Sequence, residues 1–186
     1  MAKVLIIVDC QNDFITGSLA NEEAQKKVPN IIKKIEDFDG DAIFVTRDTH
    51  NEHYLNSKEG KSLPIEHCIE GTWGWDIEEQ VKNTLEEARV VRGIPVEYFN
   101  KPTFGAYNLT YEVGHTLNLY KDNNVIEIVG FVSSICVISN ALLLKTLFYK
   151  KADITVDASC IAGLSKDNNK AAIEVMKSCQ INVINE

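Results

Sequence analysis

The 186-residue sequence is short of several things that would each point to a definite class of protein. Its cysteines (Cys10, Cys68, Cys136, Cys160 and Cys179) are odd in number, form no close-spaced pair and contain no Cys-x-x-Cys. That speaks against a disulfide framework, a zinc ribbon or a dithiol redox motif, and it places the expected compartment in a reducing cytoplasm. There is no basic excess: 19 Lys and Arg stand against 27 Asp and Glu, a net charge of −8. Phosphate-backbone binding is therefore not expected, and nucleic acid is not the expected partner. No hydrophobic run is long enough for a membrane span, since the first one is cut at Asp9, and Met1-Ala2-Lys3 does not read as a secretory leader. Nor is there a long low-complexity run. At 45% hydrophobic residues and 25% charged, the chain is expected to fold as one domain over residues 1–186 with a sizeable core.

What is present is an alternation of two periodicities. Lys3 to Val8 is continuously apolar, the pattern of a strand covered on both faces. Asn21-Glu22-Glu23 reads as a helix start. Val28, Ile31, Ile32, Ile35 and Phe38 keep helical spacing until Asp39-Gly40. A second buried strand spans Asp41 to Thr46. From Asn51 to Trp75 no periodicity persists, and a loop of that length in a compact domain is commonly functional. A helix is expected from Asp76 to Ala88, a short strand from Val96 to Phe99 and a helix from Asn108 to Tyr120. A strand from Val125 to Gly130 is followed by an all-round apolar, hence buried, helix from Cys136 to Lys150. A strand at Ala152–Val156, a helix at Asp167–Ser178 and a closing strand at Ile181–Ile184 complete the chain. Six strands alternating with about five helices imply an α/β fold, a doubly wound, mostly parallel sheet with helices on both faces. Such sheets bind ligands beyond the carboxyl ends of their strands.

Reactive groups stand at those ends. Cys136 sits at a helix start, where the dipole and unpaired N–H groups favour a thiolate and offer an oxyanion site. By itself it reads more readily as a small buried hydrophobe than as a nucleophile. Asp9 is a base for a thiol proton or a loop cap, and Lys101 is a cation that would hold Asp9 and Cys136 ionised or a solvated surface lysine. The Cys136 N–H and one from the preceding turn would cradle an oxyanion. Asp48 and His50 project the same way in an extended segment, and His67 in the same long loop supplies a third N/O ligand. Three such ligands with open positions describe a substrate-orienting metal site. His53 is a reserve ligand and His115 a surface residue. Cys10, Cys68, Cys160 and Cys179 read as structural, and Phe14, Trp73 and Trp75 either line a pocket or cover the core.

Together these segments resemble the isochorismatase-like cysteine hydrolase family, the group that includes nicotinamidases. The resemblance spans nearly the whole chain. It rests on Val8-Asp9-Cys10-Gln11-Asn12-Asp13-Phe14, on Thr46-Arg47-Asp48-Thr49-His50 with Pro64-Ile65-Glu66-His67, on Lys101-Pro102-Thr103-Phe104-Gly105, and on Gly130 to Val137. It implies an isochorismatase-like, Rossmann-like three-layer fold and a catalytic trio of Asp9, Lys101 and Cys136. It also implies a cis peptide between Phe131 and Val132, with the Val132 and Cys136 amides as oxyanion hole. The implied metal ligands are Asp48, His50 and His67, and Phe14 walls the pocket with Phe131. Nicotinamidases often carry a tryptophan before the Pro-containing metal motif; here Leu63 stands near that position, leaving open whether Leu63, Trp73 or Trp75 completes the pocket. The resemblance implies hydrolysis of a small amide, nicotinamide first, with a divalent metal (zinc, or Mn or Fe) and a homodimer or homotetramer. Other amides or ureido compounds, isochorismatase chemistry (which needs no thiol) and an inactive binding module on the same fold are the alternatives.

Overall fold

The structure is a computed structural model and describes residues 1–118 and 123–186. The expected end of one helix at Tyr120 lies outside the described residues. Strands β1 (Lys3–Val8), β2 (Ala42–Asp48), β3 (Val96–Lys101), β4 (Asn124–Phe131), β5 (Ala152–Ala162) and β6 (Asn182–Ile184) form one sheet in the order β3-β2-β1-β4-β5-β6. Every pairing is parallel. The sequence runs outward from β1 to β3, then crosses back to β4, so β1 and β4 flank the point where the winding reverses.

The continuous apolar run of β1 makes sense because both faces are covered. Val4, Ile6 and Val8 pack with Leu109, Val113, Leu144 and Met176 from α5 (Leu109–Asn118), α6 (Ile138–Phe148) and α7 (Lys166–Ser178). Leu5 and Ile7 face the other way, onto Val28, Ile31, Val81 and Leu85 of α2 (Glu22–Asp37) and α4 (Glu79–Val90). The Asn21 side chain caps α2 by accepting from the Glu23 and Ala24 amides at 3.0 and 3.3 Å.

Several boundaries differ from the sequence expectation. β2 and β3 each run two residues further, because the ladder pairs Arg47 with Asn100 and Asp48 with Lys101. Backbone pairing is indifferent to the polar side chains that looked like strand ends. β5 likewise continues to Ala162. α4 starts at Glu79, capped by Glu78, rather than at Asp76: Ile77 bridges Gln11 and the Glu78 amide donates to the Cys10 carbonyl at 2.9 Å, which keeps this segment extended. The chain turns helical at Ser133 rather than at Cys136, through a π-turn (Ser133–Val137) that precedes α6. α6 is not buried all round, since Leu147 is 51% exposed. The polar loops hold two short helices, α1 (Asn12–Ile15) and α3 (Lys58–Ser62), and a 3₁₀ turn (Tyr54–Asn56), all too brief to show a period.

Gly130 is the tightest point of the sheet. It pairs with Val8 at φ +118°, and a Cβ there would stand 2.0 Å from the Val8 carbonyl oxygen. A side chain would both strain the backbone and push β4 off β1 where the winding reverses. Gly130→Ala is expected to cost about 3 kcal/mol or more. Urea unfolding measures this, and a loss below about 1 kcal/mol would contradict it.

Candidate active site

Four adjacent strands deliver the reactive groups. Asp9 follows β1, Asp48 and Lys101 end β2 and β3, and Cys136 lies in the π-turn after β4. Asp9 takes φ +47°, a left-handed conformation that Asp tolerates better than most side chains, and so swings the chain out of the sheet. Its amide donates to the Thr46 carbonyl at 3.2 Å, and Oδ1 accepts from the Thr46 hydroxyl at 2.7 Å. Oδ2 pairs with Lys101 Nζ at 2.7 Å. That ammonium also reaches Cys136 Sγ at 3.5 Å and Asp48 Oδ1 at 3.4 Å. Asp9, Lys101 and Cys136 are 0%, 1% and 5% exposed, so these are interactions in a water-poor site.

Burial sets the protonation pattern. It pushes the Cys136 thiol well above the ordinary cysteine value, and the nearby Asp9 charge adds to this while Lys101 opposes it. Burial thus works against the thiolate preference expected from a helix start and favours the thiol. Burial also raises the Asp9 carboxyl, against the pull of Lys101. For Lys101, burial disfavours the cation, but the charges of Asp9 and Asp48 outweigh it and hold the ammonium above its usual range. Apart from its ion pair, Asp9 Oδ2 takes no conventional hydrogen bond. It has acceptor capacity left for the proton of the Cys136 thiol, which feels the Asp9 charge. A neutral thiol beside a basic carboxylate is a nucleophile–base pair with its proton not yet moved.

Asp48 joins this trio to a second cluster. Its Oδ2 lies 3.0 Å from His50 Nε2 and 3.4 Å from His67 Nε2. The ligating atoms of Asp48, His50, Glu59 and His67 all fall within 4.8 Å of one another. The donor set fits a divalent cation for a specific reason. His67 Nδ1 lies 2.8 Å from the Ile65 carbonyl, an acceptor only, so Nδ1 carries the proton. In neutral His67, Nε2 then turns a lone pair toward a carboxylate, and a bound cation removes that repulsion. Burial favours the neutral imidazole, but Asp48 and the Ile65 carbonyl win and raise its pKa. Asp48 in turn stays ionised: burial would raise its carboxyl, yet His50, His67 and Lys101 hold it below the carboxylate range. A short parallel bridge between His50 and Ile69, with the His50 amide on the Cys68 carbonyl at 3.0 Å, aligns the two histidine segments. Asp13 fixes the second segment by accepting from the Cys68 amide at 2.7 Å.

Above Cys136 lies a cavity of about 660 Å³. Phe14 and Leu63 line it, together with Asp48, His67, Val132 and Cys136. The rest of the apolar wall comes from Leu19, Phe104, Ile135 and Leu164, and Glu59 adds a carboxylate. Among the described residues no lysine or arginine lines it. Phe131 does not reach the cavity: it is fully buried in the core cluster of Leu5, Ile7 and Phe14. Neither tryptophan completes the pocket. Trp73 is 61% exposed, and Trp75 stacks on Arg47 and donates to Thr49 Oγ1 at 2.9 Å. The Phe131–Val132 peptide is cis. His53 is exposed beside Glu52, outside the ligand cluster, and His115 is on the surface. Cys10, Cys68 and Cys160 are buried, whereas Cys179 is exposed.

Sequence reasoning missed Glu59 because its helix is only five residues long. It missed Leu19 and Leu164 because each is a lone apolar residue in a polar loop; only the cavity shows what they share.

The comparisons with known proteins agree with this fold. The nicotinamidase/pyrazinamidase of Mycobacterium tuberculosis is 26% identical over 202 residues, covering 98% of each chain. Among solved structures, a Bacillus subtilis nicotinamidase/pyrazinamidase superposes with a TM-score of 0.82 at 21% identity, over all of both chains. A Pyrococcus horikoshii pyrazinamidase solved in complex with zinc gives 0.74 at 23% identity, again over all of both. The family model described as the isochorismatase domain matches residues 3–186, and with that match over nearly its whole length the chain belongs to the isochorismatase family.

Proposed function

We propose that the chain, as one domain, is a cysteine-dependent amidohydrolase of a small neutral amide, with nicotinamide, giving nicotinate and ammonia, as the first substrate. The observation that carries this reading is the buried Lys101 ammonium, 2.7 Å from Asp9 and 3.5 Å from Cys136 beneath the apolar cavity. Asp9 Oδ2 takes the Cys136 proton as Sγ attacks the amide carbonyl, and Lys101 balances the charge that forms. The Val132 and Cys136 amides hold the oxyanion. The C–N bond breaks as Asp9 returns the proton to the leaving ammonia. Asp9 then takes a proton from a water as its oxygen attacks the thioester; the C–S bond breaks, the acid is released, and Asp9 returns the proton to Cys136 Sγ.

Asp48, His50 and His67, with Glu59 as a fourth donor, would hold a divalent cation such as zinc at the cavity edge. That ion would supply a Lewis-acid anchor for a ring nitrogen or its water. The lining decides among substrates. With two carboxylates and, among the described residues, no Lys or Arg, it offers an anionic group no partner outside the cation cluster, which disfavours carboxylated ureido compounds and isochorismate. Leu63, Phe104, Ile135 and Leu164 suit a flat apolar ring. An intact, buried Asp9–Lys101–Cys136 trio argues against an inactive binding module, since so costly a charge cluster has no use there. The free cysteines accord with a reducing cytoplasm. Among the described residues no helix is long and apolar enough to cross a membrane. The exposed Tyr107, Tyr111 and Leu147 near α5 and α6 accord with a homodimer or homotetramer.

Three outcomes are expected. Cys136→Ala lowers kcat by about 10⁴-fold or more with the circular dichroism spectrum retained; substantial remaining ammonia release would contradict the nucleophile assignment. The acid limb of kcat/KM reports protonation of Asp9 within its cluster. Because that carboxyl is raised, activity is lost as pH falls through a value above the ordinary aspartate pKa of about 3.9, and an acid limb at or below it would contradict the base assignment. His67→Ala weakens zinc binding by about 100-fold or more in a chelator competition; wild-type affinity would remove His67 from the ligand set.

A further inference from the structure

Tyr54 is a tyrosine only 2% exposed within the long loop, and it touches both halves of the site. Its ring lies 4.6 Å from the His50 ring and 4.9 Å from that of His67, which are themselves 4.9 Å apart. In this three-way packing neither imidazole can swing without displacing the other two rings, so both Nε2 atoms stay on Asp48 Oδ2. Phenylalanine would satisfy that packing equally. The hydroxyl has separate work: it donates to the Leu63 carbonyl at 3.0 Å. That carbonyl also accepts from the Ile65 amide at 2.8 Å across Pro64, and the Ile65 carbonyl orients His67 through Nδ1 at 2.8 Å.

The segment between Tyr54 and Leu63 is folded against the same tyrosine. A Cβ on Gly60 would stand 2.2 Å from the Tyr54 carbonyl oxygen, so α3 rests directly on the Tyr54 backbone. Ser57 caps α3 at the Gly60 amide, at 2.9 Å. Glu59 and Leu63, near the two ends of α3, are thereby both placed relative to Tyr54: one as a donor of the cation cluster, the other as a wall of the cavity.

Resting on the reading of the site given above, we propose that Tyr54 is a positioning residue that couples the cation cluster to substrate fit. Its ring spaces the two ligand imidazoles and its hydroxyl sets the Leu63 wall. The two parts separate by substitution. Tyr54→Phe keeps the ring and loses only the bond to Leu63: zinc affinity should change less than about 2-fold and kcat little, while KM for the hydrolysed amide rises about 5- to 10-fold, the size of one net hydrogen bond. In a Leu63→Ala background the same change should leave KM nearly unmoved. Tyr54→Leu loses the ring, and its affinity for zinc alone, read by competition with a chromogenic chelator, should fall about 10- to 100-fold.

An unchanged KM in Tyr54→Phe, or wild-type zinc affinity in Tyr54→Leu, overturns the proposal, as does a lowered melting temperature with neither readout moved. If Tyr54→Leu does not fold, the KM of Tyr54→Phe and its loss in the Leu63→Ala background decide alone. A wild-type enzyme that hydrolyses no amide defeats the reading of the site instead, and the zinc measurements still decide for or against Tyr54.

Discussion

One ammonium group holds the site together. Lys101 Nζ is nearly inaccessible to water and has Asp9, Asp48 and Cys136 around it. Removing a single charge from water costs several kcal/mol, so the cation is tolerable only while its partners stay in place. The topology keeps them there. In the strand order β3-β2-β1-β4, Lys101, Asp48, Asp9 and the turn to Cys136 sit at the carboxyl ends of four neighbouring strands. Removing any one of these residues leaves the others with an uncompensated buried charge or a vacated contact.

Asp48 makes two clusters into one. Its Oδ1 faces the Lys101 cation and its Oδ2 faces the two imidazoles, so charge entering on either side is felt on the other. In the proposed reaction, nucleophile chemistry and substrate orientation would therefore not be independent modules. Gln11 supports this carboxylate from behind: its Oε1 accepts from the Asp48 amide at 2.7 Å, and its Nε2 donates to the Asp48 carbonyl at 2.9 Å.

The sequence made the layers and the reactive residues readable because each had a period or a chemical type to show. The apolar run of β1, the capped α2 and the order of strands and helices all survive in the structure. So does the convergence of Asp9, Lys101 and Cys136 at strand ends. Features with no period stayed hidden. Glu59 sits on a five-residue helix, and Tyr54 on a single 3₁₀ turn. Phe131 stood beside the nucleophile turn in the chain, yet its side chain lies in the core. At Cys136 two local effects oppose each other, and only one of them is visible in the chain. A helix start favours the thiolate by fractions of a kcal/mol to a kcal/mol, whereas burial next to a carboxylate favours the thiol, and only coordinates reveal the burial.

The central claim is that the thiol held by Asp9 and Lys101 becomes covalently acylated during turnover. Acid quenching during steady-state hydrolysis of nicotinamide, followed by peptide mass spectrometry, tests this directly. The account predicts a nicotinoyl thioester on the peptide carrying Cys136 and on no other cysteine peptide. Full turnover with Cys136 unmodified at every quench time, or acyl transfer to a different residue, would contradict it.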